Sequence, residues 1–353
     1  MLYTLATVLP MTVCLFWTVL LLLDHPGRDK ARKVFTGFGI VSTVLYTCHL
    51  VYFSGQGSWP FECLYSLCTL SVYPLYNYYI RCLIHKRRRM DHFAPWLIPG
   101  VLISLWGLYS GISGGNMVRV QEVTMLCIPV ITLFSSINAA IGLQRFRKRA
   151  QNYYADTEGK TLDPIFIMMV LLMVMAVLSS TAALIGREQF LGSDLLVLPS
   201  GMCSLLLFCI FYVGYKTDIP AEALLIPEKE EQSEADSSIA EGQQQVLMEK
   251  IEAQMEKQQL FRNKGLLISD VAEAVGSNRT YVSNSINQLT GMTFSDYINT
   301  KRVAYVKALM DEQPDMPLAS MADLAGYSDR TSFYRGFKKA TGLSPSEFLQ
   351  KRG

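Results

Sequence analysis

The chain has 353 residues, half of them hydrophobic, and its 32 Lys and Arg against 30 Asp and Glu leave a formal charge of +2. That length leaves room for two or more domains. The near-neutral sum excludes neither nucleic acid nor lipid as a partner, because it adds basic loops to an acidic connector, and the composition averages a very apolar first two thirds with a polar last third.

Seven apolar runs, at residues 5–23, 34–53, 61–84, 96–109, 123–143, 165–185 and 195–215, come near or exceed the roughly 20 residues that cross a hydrocarbon core of about 30 Å. The fourth is the weakest, interrupted by Pro99, Gly100 and Gly107, so six spans is the alternative count. Basic residues cluster after the odd-numbered runs: Arg28, Lys30, Arg32 and Lys33; Lys86, Arg87, Arg88 and Arg89; Arg145, Arg147, Lys148 and Arg149. The alternate loops carry only Arg119 and Arg187. Positive loops face the cytoplasm, which predicts an outside N-terminus, an inside C-terminal part and, overall, a multi-pass inner-membrane location. The first run has no basic segment before it and no small-residue cleavage pattern after it, so it is expected to be retained.

All eight cysteines (Cys14, Cys48, Cys63, Cys68, Cys82, Cys127, Cys203 and Cys209) lie in or beside these runs without paired C-x-x-C spacing, and are expected to be small buried hydrophobes. Among polar groups within the runs, His49, Asn77 and Asn138 are candidate signal-sensing residues, since polar groups are costly in a bilayer. Glu62, Arg81 and the tyrosines Tyr73, Tyr76, Tyr78 and Tyr79 fit interfacial anchoring, and the two asparagines also fit helix-to-helix hydrogen bonding. There is no H-E-x-x-H, no Gly-rich phosphate loop and no nucleophile beside a base. No catalytic residue, metal site or cofactor is expected, and the chain is not expected to be an enzyme.

Residues 217–245 are polar and acidic, with Glu228, Glu230, Glu231, Glu234, Asp236 and Glu241, and are expected to form a flexible linker. Residues 246–261 then show helical periodicity through Leu247, Ile251, Met255 and Leu260. This segment fits either a short dimerising coil or the first core helix of the domain that follows.

From residue 268 a plan occurs twice. Ile268, Val271, Ala272 and Val275 pattern a short helix, Gly276 a turn, and residues 278–289 a second helix with Val282, Ile286 and Leu289 inward. About fifty residues later Leu318, Met321, Ala322 and Leu324 line a short helix, Gly326 makes the turn, and residues 330–340 form a helix with Phe333 and Phe337 inward. This is the helix-turn-helix arrangement, with Ala272 and Gly276 small enough for a close crossing. A long amphipathic helix over 293–310, stopped by Pro314 and Pro317, joins the two units as a strut. The predicted fold class is therefore all-α: a bundle of about seven transmembrane helices over 1–216, an acidic linker over 217–245, and a double helix-turn-helix domain over 246–353.

The segment from Met321 to Lys339, with Gly326-Tyr327-Ser328-Asp329-Arg330 and Phe333-Tyr334-Arg335-Gly336-Phe337, resembles the signature of the AraC/XylS family of bacterial transcription regulators. Thr341-Gly342-Leu343-Ser344-Pro345 continues that likeness, and Asp270 to Gly276 with Leu289 to Ile298 is similar to the family's first unit. The resemblance implies DNA binding. By position it puts Thr280, Ser283, Asn284, Arg330, Thr331, Tyr334 and Arg335 at base edges, and Arg279, Lys338 and Lys339 at phosphates. Arg forks match guanine, Asn matches adenine, and Lys supplies salt-dependent attraction. Family members usually carry basic residues late in the first recognition helix, where this chain has Asn287 and Gln288, which shifts the expected grip toward the second unit or toward dimers.

Together these readings predict a membrane-anchored regulator whose bundle senses a signal and whose cytoplasmic tail binds double-stranded promoter DNA. The expected partners are that DNA and the lipid bilayer, with RNA polymerase, a small ligand and a second copy of the chain as further candidates. The alternative is a transporter carrying a regulatory or protein-docking tail.

Overall fold

The computed structural model describes residues 2–24, 30–54, 58–84, 94–186, 197–217 and 241–351. Arg28, the basic residues 86–89 and most of the predicted linker lie outside the described residues. The fold is all-helical among them, with no strand and one isolated bridge between Tyr154 and Leu267. The chain divides into two compact units: residues 1–143 with 162–228, and residues 144–161 with 229–353. The second unit thus takes in a segment from the middle of the chain that the sequence pattern places with the bundle.

The first unit contains α1 (Leu2–Leu23), α2 (Lys30–Phe53), α3 (Trp59–Ile84), α4 (Ala94–Ile112), α6 (Asp163–Gly186), α7 (Val197–Lys216) and the first 27 residues of α5 (Met117–Tyr153). Each apolar run of the sequence is a helix. Six are long and apolar enough to cross a membrane among the described residues, and the exception is α3 rather than the Pro- and Gly-containing α4. The reason is visible in the packing. α3 lies against α2, α4 and α6, most of its residues are buried, and a helix enclosed by protein can carry polar groups that a lipid-facing helix cannot. Thr124 donates to the Ser66 hydroxyl at 3.0 Å and Asn77 donates to Ser135 at 2.7 Å. Trp17, Phe35, Phe38, Tyr76, Tyr79 and Phe211 build an aromatic core, with Phe35 and Tyr79 centroids 4.6 Å apart and Phe38 and Phe211 5.4 Å apart. The cysteines are free; Cys14, Cys48, Cys63 and Cys68 are buried and the other four half-buried.

In the second unit α8 (Glu241–Lys257) is a core helix, not a free coil: Leu247, Met248, Ile251 and Met255 are buried with Val271, Ala272, Val282 and Ile286. Then come α9 (Ile268–Ala274), α10 (Arg279–Thr290), α11 (Phe294–Glu312), α12 (Leu318–Leu324), α13 (Arg330–Thr341) and α14 (Pro345–Gln350). α11 joins two cores. Phe294, Tyr297 and Ile298 belong to the first, and Val303, Val306, Leu309 and Met310 to the second with Met321, Phe333 and Phe337. Its 19 residues, at about 1.5 Å each, make a strut about 28 Å long.

The two helix pairs are built alike. Ser277 N–H reaches Ala272 O at 2.9 Å and Gly276 N–H reaches Glu273 O at 3.1 Å; Tyr327 to Ala322 and Gly326 to Asp323, each 3.1 Å, repeat the pattern. These are Schellman endings with glycine in the left-handed region, φ +65° at Gly276 and +83° at Gly326. The space around the two glycines differs. A Cβ at Gly276 would meet nothing, so its role is the backbone angle and not a close helix crossing, whereas a Cβ at Gly326 would collide with the Arg262 backbone. Two other expectations are corrected: Leu289 and Leu324 are exposed, at 43% and 36%, because each falls at the end of its helix beyond the core.

Gly276→Ala is expected to cost about 1 kcal/mol and Gly326→Ala about 2–4 kcal/mol, measured in the full-length protein as lost hydrogen-exchange protection of α9 and α10 for the first and of α12 and α13 for the second.

Candidate nucleic-acid interface

Each of the helices α10 and α13 starts on an Asx cap and ends on a left-handed glycine. Asn278 accepts from Tyr281 N–H at 2.8 Å, Asp329 accepts from Ser332 N–H at 2.8 Å and from its hydroxyl at 2.9 Å, and Gly291 and Gly342 close the helices. These hydrogen bonds hold the Asp329 carboxyl below its ordinary range, with Arg335 adding to the effect. The caps fix where each helix begins, and therefore which side chains turn outward.

On α13, Phe333 and Phe337 are fully buried, and Arg330, Thr331, Arg335, Lys338 and Lys339 are exposed on the other side, with Tyr334 half-buried. Arg330 stacks over the Tyr334 ring at 5.0 Å and donates to its hydroxyl at 3.3 Å, while the same hydroxyl lies 3.3 Å from Ser346. These contacts push the Tyr334 phenol down from its usual range. Lys339 is paired with Asp296 at the start of α11. Arg335 is paired as well: its two terminal nitrogens meet the two carboxylate oxygens of Glu158 at 2.8 and 3.0 Å. On α10, Arg279 is exposed, while Thr280, Ser283 and Asn284 are half-buried on one side, and Asn287 folds back onto Ser283 at 2.8 and 3.1 Å. The structure thus gathers the predicted residues onto one face of each second helix, with the positive charge concentrated on α13.

Residues 271–351 match the family described as the helix-turn-helix domain. The chain is 31% identical over 86 residues to the melibiose operon regulatory protein of Escherichia coli, covering 24% of this chain and 28% of that protein. It is 34% identical over 77 residues to the transcriptional regulatory protein YesN of Bacillus subtilis, 22% of this chain and 21% of that one. With the probable transcription factor PqrA of Proteus vulgaris it shares 28% over 92 residues, 26% of this chain and 75% of PqrA. The C-terminal domain is an AraC-type helix-turn-helix domain. The chain spans less than a third of the E. coli and B. subtilis relatives, and the family match lies in its last third. No solved structure gives a significant match.

The AraC-type domain holds one group that the sequence pattern passes over. Arg302 sits on the apolar stripe of α11, four residues after Ile298 and four before Val306, and is 1% exposed. Its Nε donates to Phe261 O at 2.7 Å, one Nη to Asn263 O at 3.0 Å and the other to Asp156 Oδ1 at 2.8 Å, and its plane lies 5.2 Å from the Tyr327 ring. Asp156, 7% exposed, also accepts from the Ser328 hydroxyl at 2.6 Å. Tyr327 donates to Asn299 at 2.7 Å, and Asn299 donates to Gly336 O at 2.9 Å. Gly336 is required here, because a Cβ would strike Asn299. Burial pushes the Arg302 guanidinium down and the Tyr327 phenol up, while Asp156 holds Arg302 in its charged form. A charged residue at an apolar stripe position was the one signal that could have disclosed Arg302; Asp156, 146 residues away, carried none.

The candidate sensing residues fall in the first unit, in three separate settings. His49 stacks on Tyr46 and Phe53 and meets Tyr65 edge-on at 4.9 Å. With Cys48, Tyr52, Phe61, Glu62, Tyr65 and Gln121 it lines a shallow open hollow. Asn77 is buried against Ser135 and Ser136. Asn138 is on the exposed side of α5 and bonds back to Phe134 O at 3.3 Å, so it does not join the other two.

Arg302→Leu leaves the Asp156 carboxylate buried without its partner and is expected to cost about 3–5 kcal/mol, checked by hydrogen exchange of α11. Asp329→Ala is expected to cost about 1 kcal/mol and Asp329→Asn less. Because the folded carboxyl titrates below its unfolded value, the benefit of Asp329 over Asn is present above pH about 4. It is lost as the pH falls through the lower folded value, as a pH series of unfolding curves would record.

Proposed function

We propose that the chain is a membrane-anchored, sequence-specific transcription regulator, in which the helical bundle of the first unit senses a signal and the AraC-type domain binds promoter DNA on the cytoplasmic side. The observation that carries the reading is the repeat itself: two capped, Schellman-turned helix pairs on one strut, each presenting a polar outer face. The names of the relatives, an operon regulatory protein, a transcriptional regulatory protein and a probable transcription factor, support it. Six helices with the length and apolarity of membrane spans support the anchoring. Basic residues after the first, third and fifth apolar runs support an inside placement of the C-terminal domain. No catalytic function is assigned.

On this reading Arg330, Thr331, Tyr334 and Arg335 on α13 and Thr280, Ser283 and Asn284 on α10 meet base edges, and Arg279, Lys338 and Lys339 meet phosphates. A strut of about 28 Å is close to the roughly 34 Å of one helical turn of DNA, so the two heads suit successive major-groove faces. A small ligand is one form the signal takes on this reading, with His49, Asn77 and Asn138 as its candidate contacts in the bundle. Any such ligand acts by binding one state of the bundle better than another.

The test is genome-wide crosslinking of the full-length protein in its own cells, with fractionation of membranes and an Arg335→Ala, Asn284→Ala control. Promoter peaks carried by membrane-bound protein and lost in the control are the expected result; a lack of peaks under every growth condition sinks the reading. In binding assays Arg335→Ala is expected to lose about 1–3 kcal/mol and to relax specificity at one base pair, and Lys338→Ala to reduce the salt slope by about one.

A further inference from the structure

Arg335 is an exposed cation on the outer face of α13, and its fork is occupied by this chain's own Glu158. Both nitrogens of the guanidinium edge are engaged, at 2.8 and 3.0 Å, by the two oxygens of one carboxylate. Guanine offers an arginine the same thing, two acceptors side by side at O6 and N7. One guanidinium edge cannot serve both.

Glu158 is held in place from both sides of the contact. Two residues earlier Asp156 is fixed by the buried Arg302 and by Ser328, which lies just ahead of α13. Ala155 N–H donates to Leu266 O at 3.0 Å, and the Ser295 hydroxyl donates to Ala155 O at 2.8 Å. Lys160 lies 4.0 Å over the Tyr154 ring and closes the segment on its other side. An exposed ion pair between two free side chains is worth little, because ordering both offsets the attraction. Here the backbone carrying Glu158 is already ordered, so less is lost when the pair forms.

We propose that residues 154–161 are an internal, acidic ligand of α13 that competes with DNA for Arg335, with Asp156 as the anchor and Glu158 as the group that stands in for a base edge. The inference rests on the DNA-binding reading and adds its control. The segment follows directly on α5, an uninterrupted helix of 37 residues that starts in the first unit. A rotation or axial shift of α5 therefore reaches Asp156 within three residues, and the state of the bundle sets how firmly Glu158 is presented. Signal and operator then act on one equilibrium: conditions that withdraw the segment raise DNA affinity, and DNA that captures Arg335 releases the segment.

The experiment uses full-length protein in lipid nanodiscs and a randomised duplex library, followed by affinity measurements at low salt on the enriched duplex. Glu158→Gln keeps the shape and removes the charge. It is expected to bind the duplex about three- to tenfold more tightly, and to give no gain in an Arg335→Ala background. DNA added to the unsubstituted protein is expected to speed amide exchange at residues 157–160. Equal affinity of the unsubstituted and Glu158→Gln proteins, or a gain that persists without Arg335, overturns the competition while leaving DNA binding intact. If neither protein enriches any duplex, the DNA-binding reading itself fails and the competition with it.

Discussion

Removing a guanidinium and a carboxylate from water costs several kcal/mol per ion, and the attraction between them offsets this only when the geometry is good and the remaining donors and acceptors are satisfied. The second unit meets those conditions at Arg302 and Asp156. Three donors of Arg302 are taken up by two backbone carbonyls and the carboxylate, and the second carboxylate oxygen by Ser328. Because Arg302 sits between the two cores of α11, the pair ties the first core, the turn of the second helix pair and the segment after α5 into one folded body. An apolar pair of similar volume could supply comparable stability. What the ions add is dependence: neither is tolerable in the interior without the other.

The same economy governs the first unit by different means. α3 is the helix that falls short of a membrane span in apolarity, and it is well enclosed, with polar groups turned to Thr124, Ser135 and Ser136 on α5. Hydropathy measures what a helix could face, and a helix surrounded by other helices need not face lipid at all.

Much of this was legible in the sequence. Period-3.6 apolar stripes gave α9 to α13 to within a residue or two, since Val282, Ile286, Phe333 and Phe337 face cores made from near neighbours in the chain, whereas α8 begins at Glu241, inside the stretch expected to be linker, because its polar first turn shows no stripe. Gly276 and Gly326 marked the turns because only a left-handed residue ends a helix in that way. The outward faces of α10 and α13 followed from the same periodicity. The partners of those faces did not. Asp156 and Glu158 lie in a short polar connector between two apolar runs, and no local pattern indicates that such a connector packs 146 and 177 residues away. Leu289 and Leu324 misled for a related reason: an apolar residue at the last turn fits the stripe whether or not a neighbour covers it.

The inclusion of residues 144–161 in the second unit bears on what a protease could achieve. A cut anywhere in the connector between Lys216 and Glu241 separates the chain into two polypeptides, yet the longer one still carries Asp156, Ala155 and Glu158, seated in the core and on the face of the shorter. The severed piece would remain held as a subunit, in the manner of a split protein whose halves reassemble. Separating the two pieces would require the shorter one to give up the carboxylate that neutralises its own interior arginine. Scission of the backbone and separation of the C-terminal domain are therefore distinct events in this protein.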